Sequence, residues 1–317
     1  MKATIVYNPY ATGFNKEVLN KAYANFRNQG MNVQTFKSTY SGKLPKLVKK
    51  ANEESDIIVT LGGDGTLGEA FEAFNEVDQK ASYIHIPTGT SNDTADNLNL
   101  HKGYPIKSLN LYTNINDCKE EDVDIVTAND VPFGYVSCTG TFTDFTYNTP
   151  SILKKLLGKL GYYAFAGVSG ITKIPEMLIP SLRLKYQTNG KSKTTDALAF
   201  FVSNSKTFGG FKLFKDAKIT DGLFEVTVIK KLPEKELLEI LRELFLNNCN
   251  NLDVNKYPEY FDSFTTNNFK VAMLKGKKQV DFNHDGDKKI IPLKKDRTIE
   301  YKTTKKVKML LPNRESV

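Results

Sequence analysis

Short apolar runs and amphipathic stretches alternate along the first part of the chain. Lys2 to Asn8 reads as an opening strand, and Phe14 to Gln29 sets Val18, Leu19, Ala22, Tyr23 and Phe26 on one helical face, with Gly30 as its stop. Met31 to Phe36 predicts a second strand, about Leu44 to Glu53 a second helix, and the β-branched run Asp56 to Thr60 a buried parallel strand with a turn directly behind it. From Thr66 the period is helical again, with Leu67, Ala70, Phe71 and Phe74 on one face, and Ser82 to Ile86 is the next strand. Strands and helices taking turns in this way predict an α/β domain built on a doubly wound parallel sheet.

From about Glu121 the pattern becomes strand-like. Val123 to Thr127 and Phe133 to Cys138 flank the turn Asn129-Asp130, while Ser181 to Thr188 and Thr195 to Val202 flank Asn189-Gly190, a strong hairpin signal. Leu223 to Ile229, Phe269 to Leu274, Gln279 to Phe282 and Arg297 to Tyr301 add strands, which predicts a mainly antiparallel β-sandwich. Two helices interrupt it, Ile152 to Leu160 and Pro233 to Leu246, the latter with its proline in the first turn. The last apolar run, Val307 to Leu311, is expected to return to the first domain. The domains are therefore expected at 1–121, with about 303–317 returning to it, and at 122–302.

Composition narrows the class. The chain has 317 residues, 40% hydrophobic and 25% charged, as in ordinary globular proteins, and a length that favours two domains. The N-terminal apolar run is too short and too soon interrupted for a signal peptide, and no stretch is long enough to span a bilayer, so a cytoplasmic location is expected. Cys118, Cys138 and Cys249 suit neither a disulfide framework nor a zinc site and read as free thiols. The formal charge of +8 suggests an anionic partner. No nucleic-acid motif accompanies it, and the lysines are spread rather than interleaved with aromatics.

Candidate chemistry concentrates where strands meet helices. Gly62, Gly63 and Gly65, in LGGDGT, lack Cβ atoms, so the backbone is free to take positive φ and an anion can approach main-chain N–H groups ahead of a helix N-terminus. Asp64 among them would repel phosphate without a cation, which points to Mg²⁺ beside a nucleotide. The loop NPYATG, residues 8 to 13, and the loop PTGTSND, residues 87 to 93, are expected at the same sheet edge, where open α/β sheets bind ligands. Thr90, Ser91 and Asn92 also suit the start of a following helix. Asp221-Gly222 and His284-Asp285-Gly286-Asp287 read by themselves as turns, with His284 exposed.

Together these motifs resemble the diacylglycerol kinase catalytic-domain family, which sphingosine kinases share and to which NAD kinases are more distantly related. Asn8-Pro9 with Gly13 looks like the family's N-terminal nucleotide loop, with one extra residue here; Thr39 lies near its nucleotide-contacting Thr. Gly63, Asp64, Gly65, Thr66, Leu67, Gly68 and Glu69 match its GDGTxNE except that Gly68 stands for Asn, and Thr90 with Asp93 matches its GTxND. Asn204, Gly209-Gly210 and DAKITDGLFEV resemble the segment in which Asp221, with the carbonyls of Lys218 and Leu223, would hold Mg²⁺. Asp124 falls where the family has an acidic residue that joins Asp64, Asp93 and Asp221 around the metal; four carboxylates in one crevice would be costly without a cation. Asp285 and Asp287 match the family's DGE, which holds its proposed general base, so the resemblance implies that Asp287 or Asp285 deprotonates the acceptor hydroxyl, Asp287 being one methylene shorter than the family's Glu.

The resemblance implies an ATP- and Mg²⁺-dependent lipid kinase that phosphorylates the hydroxyl of diacylglycerol or a related lipid, giving phosphatidic acid. Its expected partners are ATP, a membrane-derived lipid and, transiently, an anionic membrane surface, with no nucleic acid and a homodimer left open. ILKKLLGK, residues 152 to 159, reads either as a packing helix with solvated lysines or as the membrane-facing element. Another acceptor on the same scaffold, a sphingoid base or NAD, and a binding protein without turnover are the rival readings.

Overall fold

The computed structural model describes residues 1–40, 42–141, 179–188, 190–208, 211–212, 214, 216–246, 253–275 and 279–313. The expected helix at 152–160, Gly209-Gly210, Asn189 and Cys249 lie outside the described residues. Four parallel strands open the chain: β1 (Lys2–Tyr7), β2 (Asn32–Lys37), β3 (Ile57–Gly62) and β4 (Ser82–Pro87), in the order β4-β3-β1-β2. Helices α1 (Lys16–Asn28), α2 (Leu44–Glu54) and α3 (Asp64–Glu76) connect them. Asn15 caps α1 by accepting the Val18 N–H, and the buried Val18, Ala22 and Phe26 hold its apolar face. β3 is buried throughout, as its unbroken apolar run requires between two helical layers. A short helix α4 (Pro105–Asn110) follows, and the helix expected behind Asn92 is only a 3₁₀ turn over Ala95–Leu98.

The β-rich part continues the same sheet as antiparallel strands. β5 (Lys119–Ala128), β6 (Val131–Phe133), β7 (Val136–Gly140), β8 (Leu182–Thr188) and β9 (Lys191–Ser203) come first, then a two-stranded ribbon of β10 (Thr207–Phe208) and β11 (Phe211–Lys212). β12 (Phe224–Lys230), helix α5 (Glu234–Leu246), β13 (Phe261–Thr266), β14 (Asn268–Met273), β15 (Gln279–His284), β16 (Asp287–Pro292) and β17 (Thr298–Leu311) complete it. Asn129 and Asp130 both have positive φ, which gives the tight reversal between β5 and β6. The strand expected at Phe133–Cys138 is broken after Phe133, because the N–H groups of Gly134, Tyr135 and Val136 turn to the Asp285 carboxylate.

β17 carries the connection between the two halves. It pairs antiparallel with β5 from Tyr301↔Ala128 to Leu311↔Lys119, and its far end touches β4 in parallel at Met309↔Tyr83. Val123, Ile125, Val307, Met309 and Leu311 belong to the core under the parallel sheet. Val126, Ala128, Ile299 and Tyr301 belong to the second core, with Phe200, Phe269 and Phe282. The pairing shifts by a bulge between Thr303 and Lys305, between these two sets, so the crossover coincides with a local kink.

Candidate active site

The ends of all four parallel strands are held level by three main-chain bonds: Asn8 N–H to Leu61 O, Ser38 N–H to Tyr7 O and Thr88 N–H to Gly62 O. Beyond them lies a pocket of about 350 Å³ lined by Asn8, Tyr10, Ala11, Thr12, Ser38, Tyr40, Gly63, Gly65, Thr66, Glu69, Gly89 and Thr90. The first N–H groups of a helix have no intrahelical partner, and α3 starts at Asp64, two residues earlier than its sequence pattern suggests, so its N-terminus faces this pocket. The glycines act through close approach rather than through positive φ, which Gly62, Gly63 and Gly65 do not adopt. A Cβ on Gly63 would stand 2.9 Å from Gly89 Cα, and one on Gly62 would overlap the Thr66 side chain. The β3 and β4 loops thus pack backbone to backbone, and Thr12 Oγ1 meets Thr90 Oγ1 at 2.8 Å to close the third side.

Several expected nucleotide residues serve the pocket from behind. Gly13 donates its N–H to Thr88 O at 2.8 Å, and Leu67 is buried in the core. The Thr39 hydroxyl accepts from Lys43 Nζ at 3.1 Å, and its neighbours Ser38 and Tyr40 line the wall instead. Pro9 and Gly68 are also absent from the lining. Asp64 turns inward and accepts from Asp93 N–H (3.0 Å), Thr94 N–H (3.2 Å) and Thr94 Oγ1 (2.9 Å), so it anchors the β4 loop. Burial, and after it the Asp93 carboxylate, push its carboxyl up to about 6. Glu69 reaches the other way and accepts the Gly42 N–H at 2.9 Å, which fixes the loop after β2. Tyr10, Ala11, Thr12 and Gly89 lie in the two loops expected at this edge without being singled out there, whereas Ser38 and Tyr40 escape sequence reasoning; the strand order, which sets β2 next to β1, is the available signal for them.

The Asp285-Gly286 turn, both residues at positive φ, joins β15 to β16 and packs on the flank of α3. Asp285 Oδ1 accepts from Tyr135 N–H (2.8 Å) and Val136 N–H (3.1 Å), and Oδ2 from Gly134 N–H (2.5 Å). Burial pushes this carboxyl up to about 7 despite those donors. His284 is buried rather than exposed: Ser137 Oγ lies 2.8 Å from its Nε2, and burial pushes its imidazole down to about 3. Asp287 opens β16 opposite His284, with its side chain outside the described residues. Lys289 Nζ, 3.7 Å from Glu72 of α3, adds a second tie between this hairpin and the helix that starts at the pocket.

Asp221, Lys218 and Thr220 line a separate cavity of about 710 Å³. Asp221 is exposed and accepts the Leu223 N–H at 3.0 Å. Asp124 is fully buried: Oδ2 accepts the Gly222 N–H at 2.7 Å, while Oδ1 lacks a hydrogen-bond partner and faces Lys306 Nζ at 3.5 Å. Asp93 pairs with Lys102. The four carboxylates expected in one crevice are therefore distributed, each with a donor or ammonium group of its own. Among the described residues no group of three or more His, Cys, Asp or Glu side chains forms a metal cluster. The turn nonetheless suits a hard cation, because a buried carboxylate oxygen without a hydrogen-bond partner stands beside an exposed carboxylate and main-chain carbonyls.

Comparison with known proteins decides the family. Residues 2–147 match the family model of the diacylglycerol kinase catalytic domain, and residues 155–253 that of the YegS C-terminal NAD kinase beta sandwich-like domain. A diacylglycerol kinase of Bacillus subtilis (strain 168) is 30% identical over 245 residues, 75% of this chain and 77% of that protein. The chain belongs to the diacylglycerol kinase catalytic-domain family. A Staphylococcus aureus (strain JH9) diacylglycerol kinase is 29% identical over 243 residues, 76% of this chain and 74% of that protein. A diacylglycerol kinase structure from Bacillus anthracis, 16% identical, covers 100% of this chain and 98% of that one with a TM-score of 0.71, which shows the shared fold. The family's relatives support a lipid kinase, and no described helix is long and apolar enough to cross a membrane.

Proposed function

We propose that this chain transfers the γ-phosphoryl group of ATP to the hydroxyl of diacylglycerol, giving ADP and phosphatidic acid. The observation that carries the reading is the docking of the Asp285-Gly286-Asp287 turn against α3, whose N-terminus faces the glycine-lined pocket. A phosphate donor in that pocket and a base on that turn would meet along one helix.

Asn8, Gly63, Gly65, Thr66 and Thr90 line the phosphate-binding surface, with Asp64 and Glu69 fixing the loops around it. Asp287 takes the proton of the acceptor hydroxyl, whose oxygen attacks the γ-phosphorus as the bond to the β–γ bridging oxygen breaks. Asp285, held by three main-chain donors, positions that turn. Mg²⁺ bound with the nucleotide would neutralise charge developing on the phosphates, and Asp221 with the carbonyls of Lys218 and Leu223 would hold an ion at the separate turn. We take the domains as 1–121 with 303–317, and 122–302, and the first core draws Val123 and Ile125 of β5 and Ile219 across that boundary.

The test is transfer of labelled phosphate from ATP to detergent-dispersed diacylglycerol, a sphingoid base and NAD in parallel, with and without Mg²⁺. Labelled phosphatidic acid formed only with Mg²⁺ supports the proposal. Labelled NAD or sphingoid base with no labelled phosphatidic acid replaces the acceptor.

A further inference from the structure

Two tyrosines line the pocket beside the residues proposed to bind phosphate. Tyr10 is 73% exposed and Tyr40 60% exposed, and they are the aromatic side chains among the residues that line the 350 Å³ cavity, the others being glycines, Ala11, Glu69 and short polar residues. Exposed aromatic rings of this size at a cavity wall offer flat apolar surface to a ligand.

Their place in the sheet gives the direction of the ligand. The reacting end of a nucleotide must face the β15–β16 turn, which packs against α3 at Gly68 and Glu72. Tyr40 follows β2, the edge strand of the order β4-β3-β1-β2, on the side away from β17 and the second core. A nucleotide with its phosphates at Gly63 to Thr66 therefore sends its base toward Tyr40. The Tyr40 loop is itself anchored to the phosphate-binding helix, since Glu69 accepts the Gly42 N–H at 2.9 Å and Gly42 makes the turn at φ +79. Lys43 Nζ sits 5.7 Å from the centroid of the Tyr40 ring, which leaves the opposite face for a base.

We infer that Tyr40, with Tyr10 lining the same pocket, is the stacking platform for the nucleotide base and makes the pocket select a purine over a smaller pyrimidine. The inference rests on the proposed ATP-dependent function. Stacking is tolerant of hydrogen-bonding pattern but grows with ring area, so a purine gains more than a pyrimidine or a base-free polyphosphate.

Titration calorimetry with ATP, CTP and tripolyphosphate tests it on the wild type, Tyr40→Ala and Tyr40→Phe. Both substitutions sit on an exposed loop, so folding is retained. Tyr40→Ala is expected to weaken ATP by about five- to a hundredfold while leaving tripolyphosphate unchanged, and Tyr40→Phe to keep ATP affinity. An ATP affinity unmoved in Tyr40→Ala, an equal fall for tripolyphosphate, or wild-type affinity for CTP equal to that for ATP overturns the platform alone. A wild type that binds neither ATP nor tripolyphosphate overturns the kinase reading with it.

Discussion

Gly68 and Asp285 fit one another so closely that a Cβ on Gly68 would overlap Asp285 Oδ2. Gly134 shares the contact, since a Cβ there would lie only 3.3 Å from the same oxygen and 3.4 Å from Gly68 N. The Asp285 carboxylate thus fills the notch that a side chain at 68 would occupy, and it ties the β15–β16 turn to the helix at the nucleotide pocket. Gly68→Asn restores the residue that the family's motif carries there, yet here it forces the turn away from α3. A loss of about 1–3 kcal/mol of stability is expected from overpacking, read from urea unfolding. Asp285→Ala should also destabilise, since three buried N–H groups lose their acceptor. Combined, the two changes should cost less than their sum, because the second relieves the clash of the first. Additive losses would contradict the shared volume.

The cost of Asp285→Ala should depend on pH. Its folded carboxyl titrates near 7 against an ordinary 3.8, so between these values the folded chain binds the proton that the unfolded chain releases. Its contribution is full below the ordinary value and is lost as pH rises through about 7. Asp64, raised to about 6, has the same sign. The buried imidazoles of His85 and His284, pushed down to about 3 from 6.5, have the opposite sign and lose stability as pH falls. The wild type is expected to show a shallow pH dependence where these overlap. Asp285→Ala, lacking one acid-favouring group, should be more destabilised at pH 5 than at pH 8 in paired urea titrations.

Lys306 supplies the positive charge facing Asp124, and its ammonium also lies 3.4 Å from Thr220 O. Lys306→Met should cost about 1–2 kcal/mol, less than the loss of a fully buried partner because the lysine side chain is 45% exposed. With the ammonium gone, Asp124 Oδ1 has greater need of a cation, and Mg²⁺ should raise the variant's melting temperature more than the wild type's. Equal Mg²⁺ shifts in the two would contradict this.

Much of the fold is legible because its signals are local. The apolar run before Gly62, the helical period from Thr66 and the turns at Asn129-Asp130 and Gly190 each declare themselves within a few residues. The motif residues Asn8, Gly63, Gly65, Thr66, Glu69 and Thr90 also meet at one pocket, as the expected alternation of strands and helices requires. What escapes a sequence reading depends on partners distant in the chain. Neither the break after Phe133 nor the burial of His284 has a local cause: the first follows from Asp285, 151 residues away from Gly134, and the second from the Ser137 hydroxyl. β17 reads in the sequence as two separate strands because Lys302, Lys305, Lys306 and Lys308 interrupt its apolar pattern. Tyr40 belongs to no motif, and only the order of strands brings it to the pocket.

The central claim is that the turn beside α3 supplies the base for phosphoryl transfer from ATP to a lipid hydroxyl. The direct measurement is Mg²⁺-dependent transfer to diacylglycerol by the wild type and by Asp287→Ala, with ATP binding measured on the same preparations. The account predicts a loss of about a hundredfold or more in transfer for the variant, with ATP affinity preserved. Transfer at the wild-type rate by Asp287→Ala would contradict it.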